Sequence, residues 1–247
     1  MLVQTRTDRL RLFTQHDHGL TCGDLVHAWT AGPLRDPAPS WVVLAHALHD
    51  MAWVDEDVAP RLNPATAAPH DFVDMPLAPK IAMYARGVDE VERIEPRVAV
   101  LNSLHYQSFV PAKEAPDFHA AEEARREQLR DRLQISDAAW QAVLDAYPLL
   151  RATDRLSLWI CLAAPGARKD RVPSWLPPWL PVGDDRYALG WRDADTVTMD
   201  PLPFDRPVEL HLPWRDLDAT TFATAKDLAA AWDAADRGVW TVRIVGA

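Results

Sequence analysis

The sequence predicts a mainly helical α+β chain: a helical bundle over residues 14–165, with a small β subdomain formed by residues 1–13 together with 186–247. Three observations lead there. Apolar residues recur at helical spacing in six stretches between residues 14 and 163. Short strand-like runs are confined to the two ends. Between the bundle and the C-terminal runs lies a connector, 166–185, in which Pro173, Pro177, Pro178 and Pro181 interleave with Trp175 and Trp179, a pattern that fits neither regular helix nor central strand. At 247 residues and 48% hydrophobic, the chain can bury a sizeable core without disulfides or a structural metal.

In chain order, Leu2-Val3 and Leu10, Leu12, Phe13 flank the polar run 5–9 and read as a hairpin. A lone hairpin is marginal, so it is expected to pair with the C-terminal strands. Leu20, Leu25, Val26 and Trp29 give a helix over 14–30, stopped by Gly32-Pro33. Ser40 reads as the N-cap of a nearly all-apolar helix, 41–53, which carries His46, His49 and Asp50. A long loop follows from 55 to 76. Helices are expected at 77–92, 96–109, 116–134 and 137–163, the last capped by Ser136 and kinked or broken at Pro148. Strands at 187–191, 196–199, 208–212 and 239–245 surround a helix near 223–235.

Acidic residues outnumber basic ones 36 to 26, for a formal charge of −10, and no Lys/Arg stripe interrupts the excess. This argues against nucleic acid and anionic membranes as main partners. No stretch reaches the length of a membrane span, and the N-terminus lacks a basic-then-apolar signal, so a cytoplasmic protein is expected. Cys22 and Cys161 are the only cysteines, so any metal must be held by His and carboxylate.

The sharpest chemical feature is His49-Asp50 in an apolar helix. Further ligands are on offer in other helices: His18 in the first, His105 in the fourth and Asp154 in the last. Such mixed nitrogen and oxygen donors suit Mn, Fe, Co, Ni or Zn, one or two ions, rather than Ca. His46 shares a face with Asp50. Gln15 and Asp17 flank His18 and could orient a ligand or water. Cys22, one turn beyond His18, and Cys161 have an ordinary reading as small buried packing residues.

The order His18, His49-Asp50, Asp154 resembles the HD-domain superfamily of metal-dependent phosphohydrolases. The surrounding residues look more particularly like the uncharacterised bacterial family known as domain of unknown function 3891. Its Thr-Gln-x-Asp-His start is matched by residues 14–18, its His-Asp and following Trp by His49, Asp50 and Trp53, its Asp-Phe by Asp71-Phe72, and its Asp-Pro-x-Pro-Phe by residues 200–204. One departure is Met51-Ala52, where relatives tend to carry an acidic residue and Gly.

The resemblance implies a metal site of His18, His49, Asp50 and Asp154, with His105 a further candidate ligand. It also implies hydrolysis of a phosphate ester or anhydride in a small molecule by metal-activated water. Asp50, His105 and Asp17 are the candidate catalytic residues, His105 or Asp17 as proton donor or phosphate contact. With only four lysines, phosphate binding would rest on the metal and on arginines such as Arg86, Arg151 or Arg155. Two rival readings use the same fold: a di-iron oxygenase with extra ligands from His70 and His105, and a non-catalytic metal- or ligand-binding scaffold.

Overall fold

A seven-stranded mixed sheet organises the chain, in place of the expected mainly helical bundle with a small β appendage. The structure, a computed structural model, describes residues 1–31 and 38–247. The expected stop at Gly32-Pro33 lies outside the described residues.

In order, the elements are β1 (Leu2–Thr5), β2 (Leu10–Phe13), α1 (Gln15–Ala28) and α2 (Ser40–Ala47), then a small hairpin of β3 (Leu62–Asn63) and β4 (Ala68–Pro69). Four helices follow: α3 (Leu77–Ile94), α4 (Pro96–Ser108), α5 (Pro116–Arg132) and α6 (Asp137–Leu162). The C-terminal third is β5 (Trp179–Val182), β6 (Asp185–Trp191), β7 (Thr196–Asp200), β8 (Val208–Leu217), α7 (Ala225–Ala234) and β9 (Asp236–Gly246).

The large sheet has the order β1-β2-β8-β9-β7-β6-β5, antiparallel except for the parallel β7–β9 pair. The chain is therefore an α/β fold. Two features enlarge the sheet beyond the expectation. Strands β8 and β9 run the length of a nine-residue ladder, from Val208↔Ile244 to Asp216↔Asp236. The Pro/Trp-rich connector also supplies a strand: β5 takes the sheet's edge, where the missing N–H of Pro181 costs no ladder bond.

The N-terminal hairpin joins the C-terminal strands as expected, with Leu10, Arg11 and Leu12 opposite Leu217, Asp216 and Arg215. Arg11 clamps this seam by donating from Nε and Nη2 to both oxygens of Asp216, each at 2.7 Å, while its guanidinium lies 4.0 Å from the Trp214 ring centre.

Helix limits follow local chemistry. Thr14 Oγ1 accepts from the Asp17 N–H at 2.9 Å and Ser136 Oγ from the Ala139 N–H, so α1 and α6 are both N-capped by side chains. Helix α6 runs through Pro148 without the expected break. Ser40 is the first residue of α2 rather than its cap, and α2 ends at Ala47, before the His49-Asp50 pair.

Helices and sheet share one core. Leu25, Val42, Leu101, Leu156 and Ile160 from the helices pack in the same cluster as Leu180, Val197, Leu210 and Val242 from the strands. The Asp-Pro-x-Pro-Phe segment stitches the two layers: the Thr30 N–H donates to Pro203 O at 2.9 Å, and the buried Trp29 ring meets Phe204 and Tyr187 edge-on at 5.5 and 5.4 Å. Among the described residues, no helix is long and apolar enough to cross a membrane.

Because the core is shared, a chain ending at Pro165 should lack cooperative unfolding in calorimetry. A sharp transition from that truncated chain would show that the helices are independent of the sheet.

Candidate metal centre

Neighbouring side chains on a helix diverge by about 100°, so adjacent residues meet at one point only where the helix stops. Helix α2 does stop, and His49 and Asp50 occupy a turn between it and a single 3-10 turn, Met51–Trp53. The expectation that the pair sits within a helix is corrected accordingly. The turn hangs from α4: Asn102 Nδ2 donates to Leu48 O at 2.7 Å, and the Ala52 N–H donates to Tyr106 Oη at 3.0 Å.

Two close approaches bring α1 alongside. A Cβ on Gly19 would stand 2.9 Å from Ala47 O, and one on Gly23 would stand 3.0 Å from Ala47 Cβ. These glycines let α1 lie against the end of α2, and His18 thereby reaches His49, ring centres 5.2 Å apart. On α3, Gly87 plays the same part for the Met51-Ala52 turn, since its Cβ would collide with Ala52 at 2.4 Å.

Five of the six candidate residues converge. Asp154 Oδ1 lies 3.0 Å from His18 Nε2 and 3.6 Å from His49 Nε2. Asp50 Oδ2 lies 3.5 Å from His49 Nε2 and 3.8 Å from His18 Nε2. His105 Nε2 stands 3.9 Å from the other Asp154 oxygen, Oδ2, and its ring is 4.9 Å from that of His49. All five are buried. The sixth, Asp17, is not among them: it belongs to the capping of α1, accepting from Thr14 Oγ1 at 2.6 Å, and faces a different groove beside Trp214 and Arg237.

These donors fit a divalent ion. At bond lengths of about 2.1 Å, ligands at a right angle are about 3.0 Å apart and at a tetrahedral angle about 3.4 Å. The first four separations cluster around those values. His49 Nδ1 donates to the carbonyl of His46, 2.7 Å away, which can only accept, so Nδ1 keeps its proton and Nε2 is the nitrogen that can give up its proton to an ion. That Nε2 is buried with no hydrogen-bond partner, although two carboxylates surround it. His18 Nδ1 lies 2.8 Å from Ser157 Oγ, which orients its Nε2 in the same way.

Electrostatics tell the same story. Burial disfavours a charge on His49, but Asp50 and Asp154 overcome it and raise its pKa to about 9. Burial pushes the Asp50 carboxyl up. Asp154 is driven the other way: burial opposes its charge, yet the hydrogen bond of His18 at 3.0 Å and the adjacent His49 ring hold it well below the carboxylate range. His105, buried and beside His49, falls to about 3 and is neutral.

The centre forms the floor of a cavity of about 280 Å³ that exposes Asp50, His105 and Asp154. Arg151, Arg155 and Leu158 share a face of α6 with Asp154 and form one wall; Lys80 stands on another. Arg86 is elsewhere, paired with exposed Asp55.

Sequence reasoning missed Ser157 and Thr153, which bond the rings of His18 and His46. The signal was helical spacing: Ser157 lies three residues after Asp154 and four after Thr153. Cys22, one turn beyond His18 and buried, lies near the site, its thiol within ligand reach of His18 and His49. Three further histidines have other surroundings: His70 bonds Asp74 at 2.9 Å, His119 bonds Val110 O at 2.7 Å, and His211 is exposed.

Two outcomes follow for metal binding. In Gly19→Ala the added methyl meets backbone at Ala47, so His18 and His49 must separate; Mn²⁺ or Zn²⁺ affinity should drop at least about tenfold while the protein stays folded. A proton must also leave His49 before an ion can bind. Below pH 9, affinity should therefore rise roughly tenfold per pH unit, as titrations at pH 6.5, 7.5 and 8.5 would record.

The model of the family described as protein of unknown function DUF3891 matches residues 1–219. No curated protein and no solved structure matches the chain. With most of its length covered by that match, this chain belongs to the DUF3891 family.

Proposed function

We propose that this chain is a metal-dependent hydrolase of the HD kind, acting in the cytoplasm on a phosphate ester or anhydride of a small molecule. Its ion would be Mn, Fe, Co, Ni or Zn, held by His18, His49, Asp50 and Asp154. One observation carries the reading: in a chain of charge −10, the cavity above these donors is walled by three cations, Lys80, Arg151 and Arg155. Among the described residues neither arginine side chain has a hydrogen bond or an ion pair, so both are free to hold an anion.

A divalent ion bound there supplies positive charge to a phosphoryl oxygen and makes water a better nucleophile. The protein's own groups do the rest. Arg155 and Arg151 hold the substrate's anionic oxygens beside Asp154. Phe109 and Leu158 line the cavity above the centre and limit water around it. Burial beside His49 lowers the His105 pKa to about 3, which favours for it a hydrogen bond to substrate or a nitrogen for a second ion over the expected role of proton donor. A di-iron oxygenase is less well supported, because His70, one of its two extra ligands, is tied to Asp74 away from the centre.

The test is elemental analysis of untagged protein followed by a screen of phosphomonoesters and nucleotides. Turnover should vanish on chelation, return with Mn²⁺ or Co²⁺, and fall by at least about 10³-fold in Asp50→Asn. Unchanged turnover in Asp50→Asn rules the proposal out. In His105→Ala, metal content at half the wild-type value marks a second ion, and unaltered content with slower turnover marks the hydrogen bond.

A further inference from the structure

We propose that the anion taken by this cavity is carried on a flat aromatic ring, so that the substrate class is a small aryl phosphate rather than a sugar, polyol or nucleoside phosphate. The inference rests on the hydrolase reading only for the identity of the anionic group. The ring preference comes from the aromatic part of the cavity lining.

The cavity lining is of two kinds: Asp50, Asp154, Lys80, Arg151 and Arg155 are charged, and most of the remainder is aromatic. Trp53 and Tyr84 form one side, rings 6.1 Å apart, and Tyr84 is held rigid by stacking on Tyr106 at 4.3 Å and 4°. The other side joins two irregular segments: Phe72 from the 55–76 loop meets Trp175 of the Pro/Trp-rich connector edge-on, at 6.1 Å and 90°. Lys80 Nζ donates to Phe72 O at 2.8 Å and fixes that residue at the mouth.

The mouth leaves apolar surface in water. Trp175 is 42% exposed, Phe109 48% and Val73 54%, and all three border this one opening. Covering them with an apolar ring is favourable in proportion to the area removed from water, and an aromatic ring adds the geometry-specific attraction between π systems.

What is missing from the lining decides against the alternatives. Among the described residues that border the cavity there is no Ser, Thr or Asn; its neutral polar side chains are Gln15, Tyr84 and His105, besides the indole N–H groups of Trp53 and Trp175. A ribose or polyol would set several hydroxyls against the aromatic part of this lining, where partners are few, at a cost an aryl group avoids. The volume of about 280 Å³ sits at the low end of small-molecule sites and suits one ring system with its anion.

Calorimetric titration of Mn²⁺-loaded protein with phenylphosphonate, methylphosphonate and inorganic phosphate tests this without turnover, since none is hydrolysed. Phenylphosphonate should bind at least about tenfold tighter than methylphosphonate. Trp175→Leu, which keeps apolar bulk but removes the flat ring, and Phe72→Ala should each shrink that ratio several-fold while methylphosphonate affinity stays within twofold. Arg155→Gln should weaken both phosphonates alike. Equal binding of the two phosphonates, a ratio that survives both aromatic substitutions, or no binding of any phosphonate overturns the proposal. The hydrolase reading fails separately: a ring preference in binding with no turnover of phenyl phosphate sinks that reading and leaves this one, whereas turnover of glycerol phosphate without a ring preference does the reverse.

Discussion

Two buried carboxylates, Asp50 and Asp154, share a desolvated space with the imidazoles of His18, His49 and His105, and most of the structure around them answers that constraint. Carboxylates this close and this buried repel each other and miss their water; positive charge must stand between them. Without an ion, a proton on His49 supplies part of it, which is why its basicity rises while that of neighbouring His105 collapses. A divalent ion supplies it better, and the outer partners of the rings, His46 O and Ser157 Oγ, turn both Nε2 atoms inward toward that position.

Holding five such groups in place takes backbone precision from four directions. Helix α1 brings His18, the end of α2 brings His49 and Asp50, α4 brings His105, and α6 brings Asp154. The seven-stranded sheet sets the common platform for the helices, since its inner face and theirs form one core. Glycine is used where backbones must touch, at Gly19, Gly23 and Gly87, and each of these contacts locates the turn that carries the ligand pair.

The short motifs that resemble the family share one location. His18, His49, Asp50, Trp53 and Phe72 gather at the centre and its cavity, although they come from segments up to 54 residues apart in sequence. The Asp-Pro-x-Pro-Phe segment is the exception, acting as a clasp between α1 and the strands. At Met51-Ala52 the methyl of Ala52 is accommodated by Gly87 opposite, and the turn keeps its bond to Tyr106.

The sequence by itself determined what short-range chemistry controls: the N-terminal hairpin, the extents of α3 to α6, the cap at Ser136, and the succession of metal-ligating residue types along the chain. Each follows from periodicity, capping or turn preference within a few residues. Only the tertiary structure decided the rest. The sheet's size depends on the length of the β8–β9 ladder and on β5 joining its edge, which no local pattern encodes. Whether His49 and Asp50 share a point depended on where α2 stops, and that is set by Asn102 and Tyr106 from another helix. Asp17 and His18 are neighbours of equal promise in the sequence, but successive residues of a helix point about 100° apart, and packing against α6 selected His18. The same holds for arginine: Arg86, Arg151 and Arg155 are alike in composition, and only the face of α6 that carries Asp154 puts two of them beside the buried centre.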